Sequence, residues 1–387
     1  MSELVQTVDE KLPLNVVSYG EEEIMEVVDS LRSGYVTMGK KVREFERRWA
    51  AYIGTEDAVM VNSGSSANLL ALIALGLPKG SEVITPALTW ATAVWPIAQA
   101  GYVPVLVDVD LDTYNMSEGS VIAGVSEETA AIMPVHLLGN PCGRTQYPVL
   151  IEDACEAHGA EIGGRKVGSF GKFGTFSFFF SHHISTIEGG MVVGKAADLE
   201  NIRALRAFGW IRDLATRGHI AAKNPDIDPR FLFQLPGYNM RPTELAGAMG
   251  MHQVGRLEGY IEKRRENAFY WNAQLNRYSE WIQTQREQPG TRHVWFAYPV
   301  MVRPGAPFTR KELQDYLESR GVETRPIEAG NIAMQPALQQ IPHRIAGPLT
   351  NASYIHHNSF FWGNSHGYTE AQREAVVGYV REFMGRY

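Results

Sequence analysis

The sequence predicts an α/β protein: a largely parallel sheet with helices on both faces, followed by a smaller unit of mixed texture. Three observations carry that expectation. Short, β-rich apolar runs recur along the first half of the chain, helical stretches separate several of them, and from about Val254 the pattern changes to a long charged helix and mixed segments. At 387 residues, with 44% apolar and 20% charged content, the chain is long enough to bury a large core and to divide into two units, expected at 1–255 and 256–387.

The elements follow in order. Residues 21–32 set Ile24, Val27, Val28 and Leu31 at helical spacing, and Gly34 acts as the stop. Residues 42–53 read as a second helix ending at Gly54. The runs 58–61, 82–85, 103–109, 131–138, 149–151, 175–180 and 191–193 are short and turn-bounded, as buried strands are. Helical patterns over 67–75 and 91–100 separate early strands, and 256–275 is the long charged helix. Ligands of such sheets bind outside the carboxyl ends of the strands, so strand-to-loop junctions are the places to seek chemistry.

Composition narrows the function. A net charge of −7 disfavours a general nucleic-acid or membrane-surface binder, so an anionic substrate has to be held by local donors. The start, MSELVQTVDEKLPLNVV, lacks the features of a signal peptide, and no stretch of about 18 apolar residues occurs, which predicts a cytoplasmic protein. The two cysteines, Cys142 and Cys155, are too few for a disulfide framework, a four-cysteine zinc site or an all-cysteine iron–sulfur cluster.

Three junctions carry chemistry. At Ser63-Gly64-Ser65-Ser66 a strand ends and an apolar helix begins, so free N–H groups and hydroxyls gather at a positive helix end that suits a phosphate; an ordinary serine cap is the plainer reading. At Glu152-Asp153-Ala-Cys-Glu156-Ala-His158 a carboxylate ends a buried strand, which predicts a positive partner for Asp153. A metal cluster of Glu152, Asp153, Glu156 and His158 lacks a recognised ligand spacing, so no metal is expected. At SHHISTIEGG, residues 181–190, a strand delivers His182 and His183 to a turn closing on Glu188-Gly189-Gly190. Taken alone, both histidines are readable as structural.

The three junctions together, with Leu31-Arg-Ser-Gly34, Val42-Arg-Glu-Phe-Glu46, Pro86-Ala-Leu-Thr-Trp90, Phe176-Ser-Phe178 and Gly237-Tyr-Asn-Met-Arg-Pro-Thr-Glu244, resemble the sugar aminotransferases of the fold-type-I pyridoxal-phosphate enzymes over nearly the whole chain. The resemblance implies the aspartate-aminotransferase-like fold: a large domain on a mostly parallel seven-stranded sheet and a smaller α+β C-terminal domain. In that family a lysine six residues before the Glu-Gly-Gly element binds the cofactor covalently; here the position is His182. An imidazole cannot form a Schiff base, whereas it can move protons near neutrality. Lys172, ten residues earlier and before the strand, cannot take its place. The combination resembles the small subgroup of sugar 3-dehydratases, and the shortage of cysteines favours the iron-independent branch.

The resemblance implies the following roles. Gly64, Ser65 and Ser177 hold the cofactor phosphate, and Asn239 reaches it from the neighbouring subunit of a homodimer. Asp153 pairs with the pyridine nitrogen, Trp90 stacks on the ring, and Glu156 takes the place usually held by a glutamine near the cofactor hydroxyl. Trp90 as a core or interface residue stays open. Phe231, Arg241, Arg325 and Asn331 are substrate-side candidates, with surface salt bridges as the plainer role for the arginines. His183 is expected to pack behind the site. The implied reaction uses non-covalent pyridoxamine phosphate on a nucleotide-linked 4-keto-6-deoxysugar, His182 as acid and base, and L-glutamate to recharge the cofactor. A plain aminotransferase and a non-catalytic cofactor-binding protein are the alternatives. Two features depart from the family: residues 142–148 are too few for the helix usually inserted there, which predicts a bare loop, and Glu328-Ala329 beside Arg325 points to a different sugar or carrier.

Overall fold

The computed structural model describes residues 11–143 and 149–387. The expected loop at 142–148 falls mostly on 144–148, outside the described residues.

All seven expected strands form, with shifted ends: Asp57–Val61, Glu82–Pro86, Val103–Val107, Thr129–Ile132, Ile151–Asp153, Phe173–Ser177 and Gly190–Gly194. They build two ladders. In one, Asp57–Val61, Gly190–Gly194, Phe173–Ser177 and Ile151–Asp153 lie side by side; in the other, Thr129–Ile132, Glu82–Pro86 and Val103–Val107 run in parallel, with the short Arg344–Ile345 beyond them. Parallel bridges at Ile132–Leu150 and Val135–Asp153 join the two ladders into one sheet. Among these strands Gly190–Gly194 alone runs antiparallel to its neighbours.

Side chains alternate between two apolar layers as the strand period requires. Ala58, Met60, Phe176 and Met191 pack with Phe45, Trp49 and Ile261 on one face. Val59, Val61, Phe173 and Val192 pack with Leu70, Leu72 and Ile202 on the other.

Two sequence expectations were too long. The helix over 91–100 is divided into a 3-10 turn, Ala91–Ala93, and a short α-helix, Trp95–Gln99, because Pro96 has no N–H to continue the first turn and suits the start of the second. The strand over 131–138 stops at Ile132, because Pro134 cannot donate to a ladder and the chain then coils into a 3-10 turn at Leu137–Gly139.

The second sheet is antiparallel, in the order Ile282–Gln283, Ala297–Val302, Ser359–Gly363, Thr324–Pro326. The Leu257–Leu275, Arg310–Ser319 and Glu370–Met384 helices share its core around Trp271, Tyr298, Phe360 and Trp362. Residues 11–14, grouped with the large unit in the sequence division, lie against the second: Leu12 pairs with Val322, and the Leu14 N–H donates to Glu323 Oε2 at 2.9 Å. A further apolar cluster joins Leu88, Leu106 and Leu137 of the first sheet region to Met301, Ile327 and Phe361 of the second. The seam between the two sheets is therefore packed, and it borders the carboxyl ends of the parallel strands.

Candidate active site

Three strands that end at the same edge of the sheet deliver the three junctions to one place. The Asp57–Val61 strand leads into Ser63, whose Oγ accepts the Ser66 N–H at 3.1 Å and caps the Gly64–Ala74 helix. The Gly64 and Ser65 N–H groups head that helix with no intrahelical acceptor. Gly64 is needed for close approach: a β-carbon there would stand 2.6 Å from Ser177 Cβ. Gly190 is needed for the same reason, since its β-carbon would stand 2.2 Å from the Ser63 carbonyl oxygen. Overpacking of that kind costs about 1–3 kcal/mol. The glycines thus bring the helix start, Ser177 and the strand after the histidine turn into contact, leaving a cradle of N–H and hydroxyl groups fit for a phosphate.

Asp153 ends the next strand and is buried, 6% exposed. Its Oδ2 accepts from Asn68 Nδ2 at 2.8 Å and its Oδ1 from the Cys155 N–H at 3.1 Å. Thr175 Oγ1 donates to Asn68 Oδ1 at 2.6 Å, which holds the amide in the donating orientation. The positive partner expected for Asp153 is not a protein group: among the described residues no lysine, arginine or histidine forms an ion pair with it. A buried carboxylate kept without a cation fits a ligand that brings its own, as a protonated pyridine nitrogen does. Glu152 faces elsewhere, accepting from the Gly168, Phe170 and Gly171 N–H groups, and no group of three metal-ligating side chains forms among the described residues.

His182 follows the Phe173–Ser177 strand in a turn closed by its own N–H on the Phe179 carbonyl at 3.0 Å. The same turn contains Ile187 at φ 69°, a β-branched residue in the left-handed region and therefore strained. The His182 ring rests edge-on against Phe296 at 5.2 Å, with Nδ1 buried and unpartnered, so Nε2 is the nitrogen left accessible. Burial pushes its imidazole down to about 3, and the nearby Arg264 charge adds to the effect. The ring is accordingly neutral and able to take a proton, and an anion bound nearby would raise its basicity. His183 is fully buried, its Nε2 lying 3.3 Å from the Val294 carbonyl, which agrees with a packing role. His158 is also fully buried, among Trp49, Phe176 and Phe178.

Gly64, Ser65, Trp90, Asp153, Glu156, Ser177, His182 and Arg325 all line a single cavity of about 600 Å³. Trp90 is 54% exposed there, which leaves a large flat face for an aromatic ligand. Among the described residues no lysine lines the cavity; Lys172 stands outside it, 3.5 Å from Asp198. Phe231, Asn239, Arg241 and Asn331 do not line it. Asn331 is buried at 2% exposure, with Oδ1 capping Ala333 and Nδ2 donating to Ser353 Oγ at 3.0 Å, so its amide is already used inside the fold. Asn239 and Arg241 bond to each other at 3.1 Å, and Arg241 lies over Phe208 at 4.8 Å. Next to this pair the Met240 carbonyl accepts the Asn62 N–H, one residue before Ser63.

Sequence reasoning missed Asn68, Phe296 and Glu323. Asn68 had a signal: it is the lone amide in the otherwise apolar Ala67 to Leu75 run. Phe296 and Glu323 had none, because they reach the cavity from the second sheet region.

The buried imidazoles make acid sensitivity predictable. Burial holds His158, His183 and His293 well below the ordinary 6.5, and His182 at about 3. Between those values and 6.5 the unfolded chain binds more protons than the folded one, so stability rises with pH in that window and is lost as pH falls through it. Thermal melts of the ligand-free protein are expected to show falling midpoints from pH 6.5 downward, with a shallower fall in His182→Asn. A midpoint that stayed level from pH 7 to 4 would contradict the neutral, buried state of these rings.

With this geometry in hand, residues 17–381 match the DegT/DnrJ/EryC1/StrS aminotransferase family. The chain is 38% identical, over 91% of its length and 93% of the relative's, to the GDP-4-keto-6-deoxy-D-mannose 3-dehydratase of Yersinia pseudotuberculosis. It resembles the solved structure of the E. coli GDP-4-keto-6-deoxy-D-mannose-3-dehydratase with bound hydrated PLP, with a TM-score of 0.89 and 33% identity, covering 95% of this chain and 98% of that one. A structure of GDP-4-keto-6-deoxymannose-3-dehydratase with a trapped PLP–glutamate geminal diamine gives a TM-score of 0.89 at 33% identity, with 95% and 99% covered.

Proposed function

The chain belongs to the DegT/DnrJ/EryC1/StrS aminotransferase family, and from that premise we propose that it is a pyridoxamine-phosphate-dependent 3-dehydratase acting on a nucleotide-linked 4-keto-6-deoxysugar. The observation that carries this reading is His182, which lies in a cavity lined by no lysine among the described residues, at the position where the family keeps its covalent anchor. Relatives named for GDP-linked sugars support guanosine diphosphate as the carrier and a 4-keto-6-deoxymannose as the sugar. The relative trapped with a PLP–glutamate adduct supports L-glutamate as the amino donor that restores pyridoxamine phosphate.

When bound, pyridoxamine phosphate supplies the amine that engages the 4-keto carbon and an electron sink that lets the C3 hydroxyl depart. The chain's own residues do the rest. Gly64, Ser65 and Ser177 hold the phosphate, and the Asp153 carboxylate keeps a proton on the pyridine nitrogen. Trp90 packs against the ring. His182 Nε2 takes a proton from the cofactor methylene and returns it to the leaving hydroxyl oxygen, so one side chain serves as base and then as acid. Arg325 meets the substrate from the second sheet region. Glu156 stands near the cofactor hydroxyl.

The enzyme works as a homodimer in which Phe231, Asn239 and Arg241 serve the partner's cavity. What supports this is that Asn239 and Arg241 flank Met240, whose carbonyl accepts the Asn62 N–H next to the phosphate cradle, yet stay outside the cavity lining, together with Phe231 at 60%, Phe233 at 47% and Tyr238 at 39% exposure, apolar surface of the kind a second subunit covers. The proposed compartment is the cytoplasm, where a nucleotide-activated sugar and glutamate meet. Neither a metal nor an iron–sulfur cluster takes part.

The test is an incubation with added pyridoxal phosphate, glutamate and GDP-4-keto-6-deoxymannose, read by mass. A 3-deoxy product, ammonia and 2-oxoglutarate are expected. An amino sugar would establish the aminotransferase alternative, and no 2-oxoglutarate at all would leave a cofactor-binding protein without catalysis.

A further inference from the structure

Arg264 lies on the Leu257–Leu275 helix and is buried, 1% exposed. Its Nη1 donates to the Phe296 carbonyl at 2.8 Å and to the Asn364 carbonyl, and its Nη2 donates to Asn15 Oδ1 at 3.3 Å. Phe296 and Asn15 both line the cavity that holds His182. The Phe296 ring meets the His182 ring edge-on at 5.2 Å, and Asn15 Nδ2 donates to the carbonyl of Phe180 in the same turn at 3.2 Å. One guanidinium thus joins the second sheet region, the segment at 11–15 and the histidine turn. The Phe296 side is pinned further. The Val294 and Phe296 N–H groups donate to the Gly139 and Leu138 carbonyls at 3.0 and 2.9 Å, and His183 Nε2 lies 3.3 Å from the Val294 carbonyl. Trp295 between them has φ 49°, a left-handed conformation that a non-glycine residue keeps only under constraint. Among the described residues no aspartate or glutamate forms an ion pair with Arg264, and its Nε–H has no acceptor.

A buried guanidinium whose acceptors are all neutral oxygens is a costly arrangement for the fold to keep. We propose that Arg264 is a further positioning residue of the site: a fixed cation that clamps Phe296 and Asn15 around the histidine turn and aims His182 Nε2 into the cavity. Near such a charge the imidazolium is disfavoured, so the neutral ring is ready to take a proton, and the protonated ring is a stronger acid toward a poor leaving group such as hydroxide. Directions agree: burial first and then the Arg264 charge lower His182 to about 3, whereas burial lowers Arg264 only to about 10, which leaves it charged at neutral pH. Beside the His182 ring stands His158 at 6.0 Å, with His183 packed against His158 at 5.4 Å, both kept neutral by burial. Asp153, Cys155, Glu156 and Glu188 line the cavity from the first sheet region, and Glu323, Arg325 and Glu328 line it from the second. Around Arg264 the titratable groups are Tyr368, whose hydroxyl donates to the Pro13 carbonyl, and His366, stacked on Tyr260. The inference rests on His182 being the acid–base group, as proposed above.

The first readout is the imidazole titration of His182 in the ligand-free protein labelled with 15N-histidine, its signal identified by its loss in His182→Asn. Arg264→Gln should raise the midpoint by about one pH unit, and Arg264→Lys, which keeps the charge, should leave it near wild type. A midpoint unchanged in Arg264→Gln, or moved equally in both variants, overturns the proposal. Should the arginine variants fail to fold, Asn15→Asp leaves Arg264 in place and sets a carboxylate against it. The midpoint is then expected to rise by a similar amount, and an unmoved midpoint overturns the proposal as well. The second readout is Asn15→Ala, which opens the clamp without touching the charge: kcat should fall about tenfold with the KM of the sugar nucleotide unchanged. A raised KM with kcat intact would make Asn15 a substrate-binding group and overturn the clamp. An amino-sugar product with the titration shifts in place would count against the dehydratase reading alone and support the clamp.

Discussion

His182→Asn is expected to lower formation of the 3-deoxy product by roughly 10²–10⁴-fold, the range that one positioned acid–base group supplies. Asparagine preserves much of the ring's shape and polarity but cannot take or return a proton at neutral pH. The fold should survive, because the His182 Nδ1 has no hydrogen bond to lose. Pyridoxamine phosphate affinity should change little, since the phosphate cradle and Asp153 are untouched. A variant that kept wild-type turnover would remove His182 from the mechanism. His182→Lys is the complementary change: a primary amine at the same place can bind the cofactor covalently, so borohydride reduction should now give a pyridoxyl-lysine peptide absent from wild type.

Asp153→Asn is the second large effect, and its signature is a separation of binding from stability. In the ligand-free protein the carboxylate is buried with two hydrogen-bond donors and no cation, an arrangement that favours the ligand over the empty fold. Removing the charge should therefore leave the melting point of the ligand-free protein equal or higher. Cofactor binding should weaken by about 2–5 kcal/mol, the usual loss when one member of a buried charge pair is neutralised, or roughly 30- to 5,000-fold. The thermal shift produced by pyridoxamine phosphate should shrink correspondingly. A drop in ligand-free stability with cofactor affinity intact would make Asp153 a structural group rather than the partner of the pyridine nitrogen.

Much of this was readable along the chain. The strand ending at Val61, the serine turn, the strand ending at Asp153 and the histidine turn each announce themselves through composition and punctuation within about ten residues. Their convergence follows from a general rule, since parallel strands end at a common edge. The glycines were legible as turn signals, but the reason for them was not: Gly64 and Gly190 answer to Ser177 and Ser63, each distant in sequence or on another strand. The too-long strand over 131–138 and helix over 91–100 fail for local reasons, Pro134 and Pro96, that apolar patterning alone overrides.

The chain's own order of residues was enough to specify the α/β architecture, the serine turn that opens a helix, the carboxylate that ends a buried strand and the histidine six residues before Glu188-Gly189-Gly190, because each depends on side-chain period, backbone punctuation or the chemistry of one residue. Which groups meet across the seam was settled by packing. Phe296 behind His182 and Asn68 on Asp153 join positions 114 and 85 residues apart. Asn331 shows the opposite case, a polar residue that looked available and is consumed by a cap and by Ser353. Hydrogen bonds and burial depend on distances in space, and no local pattern encodes a distance between segments brought together only when the two sheets close on each other.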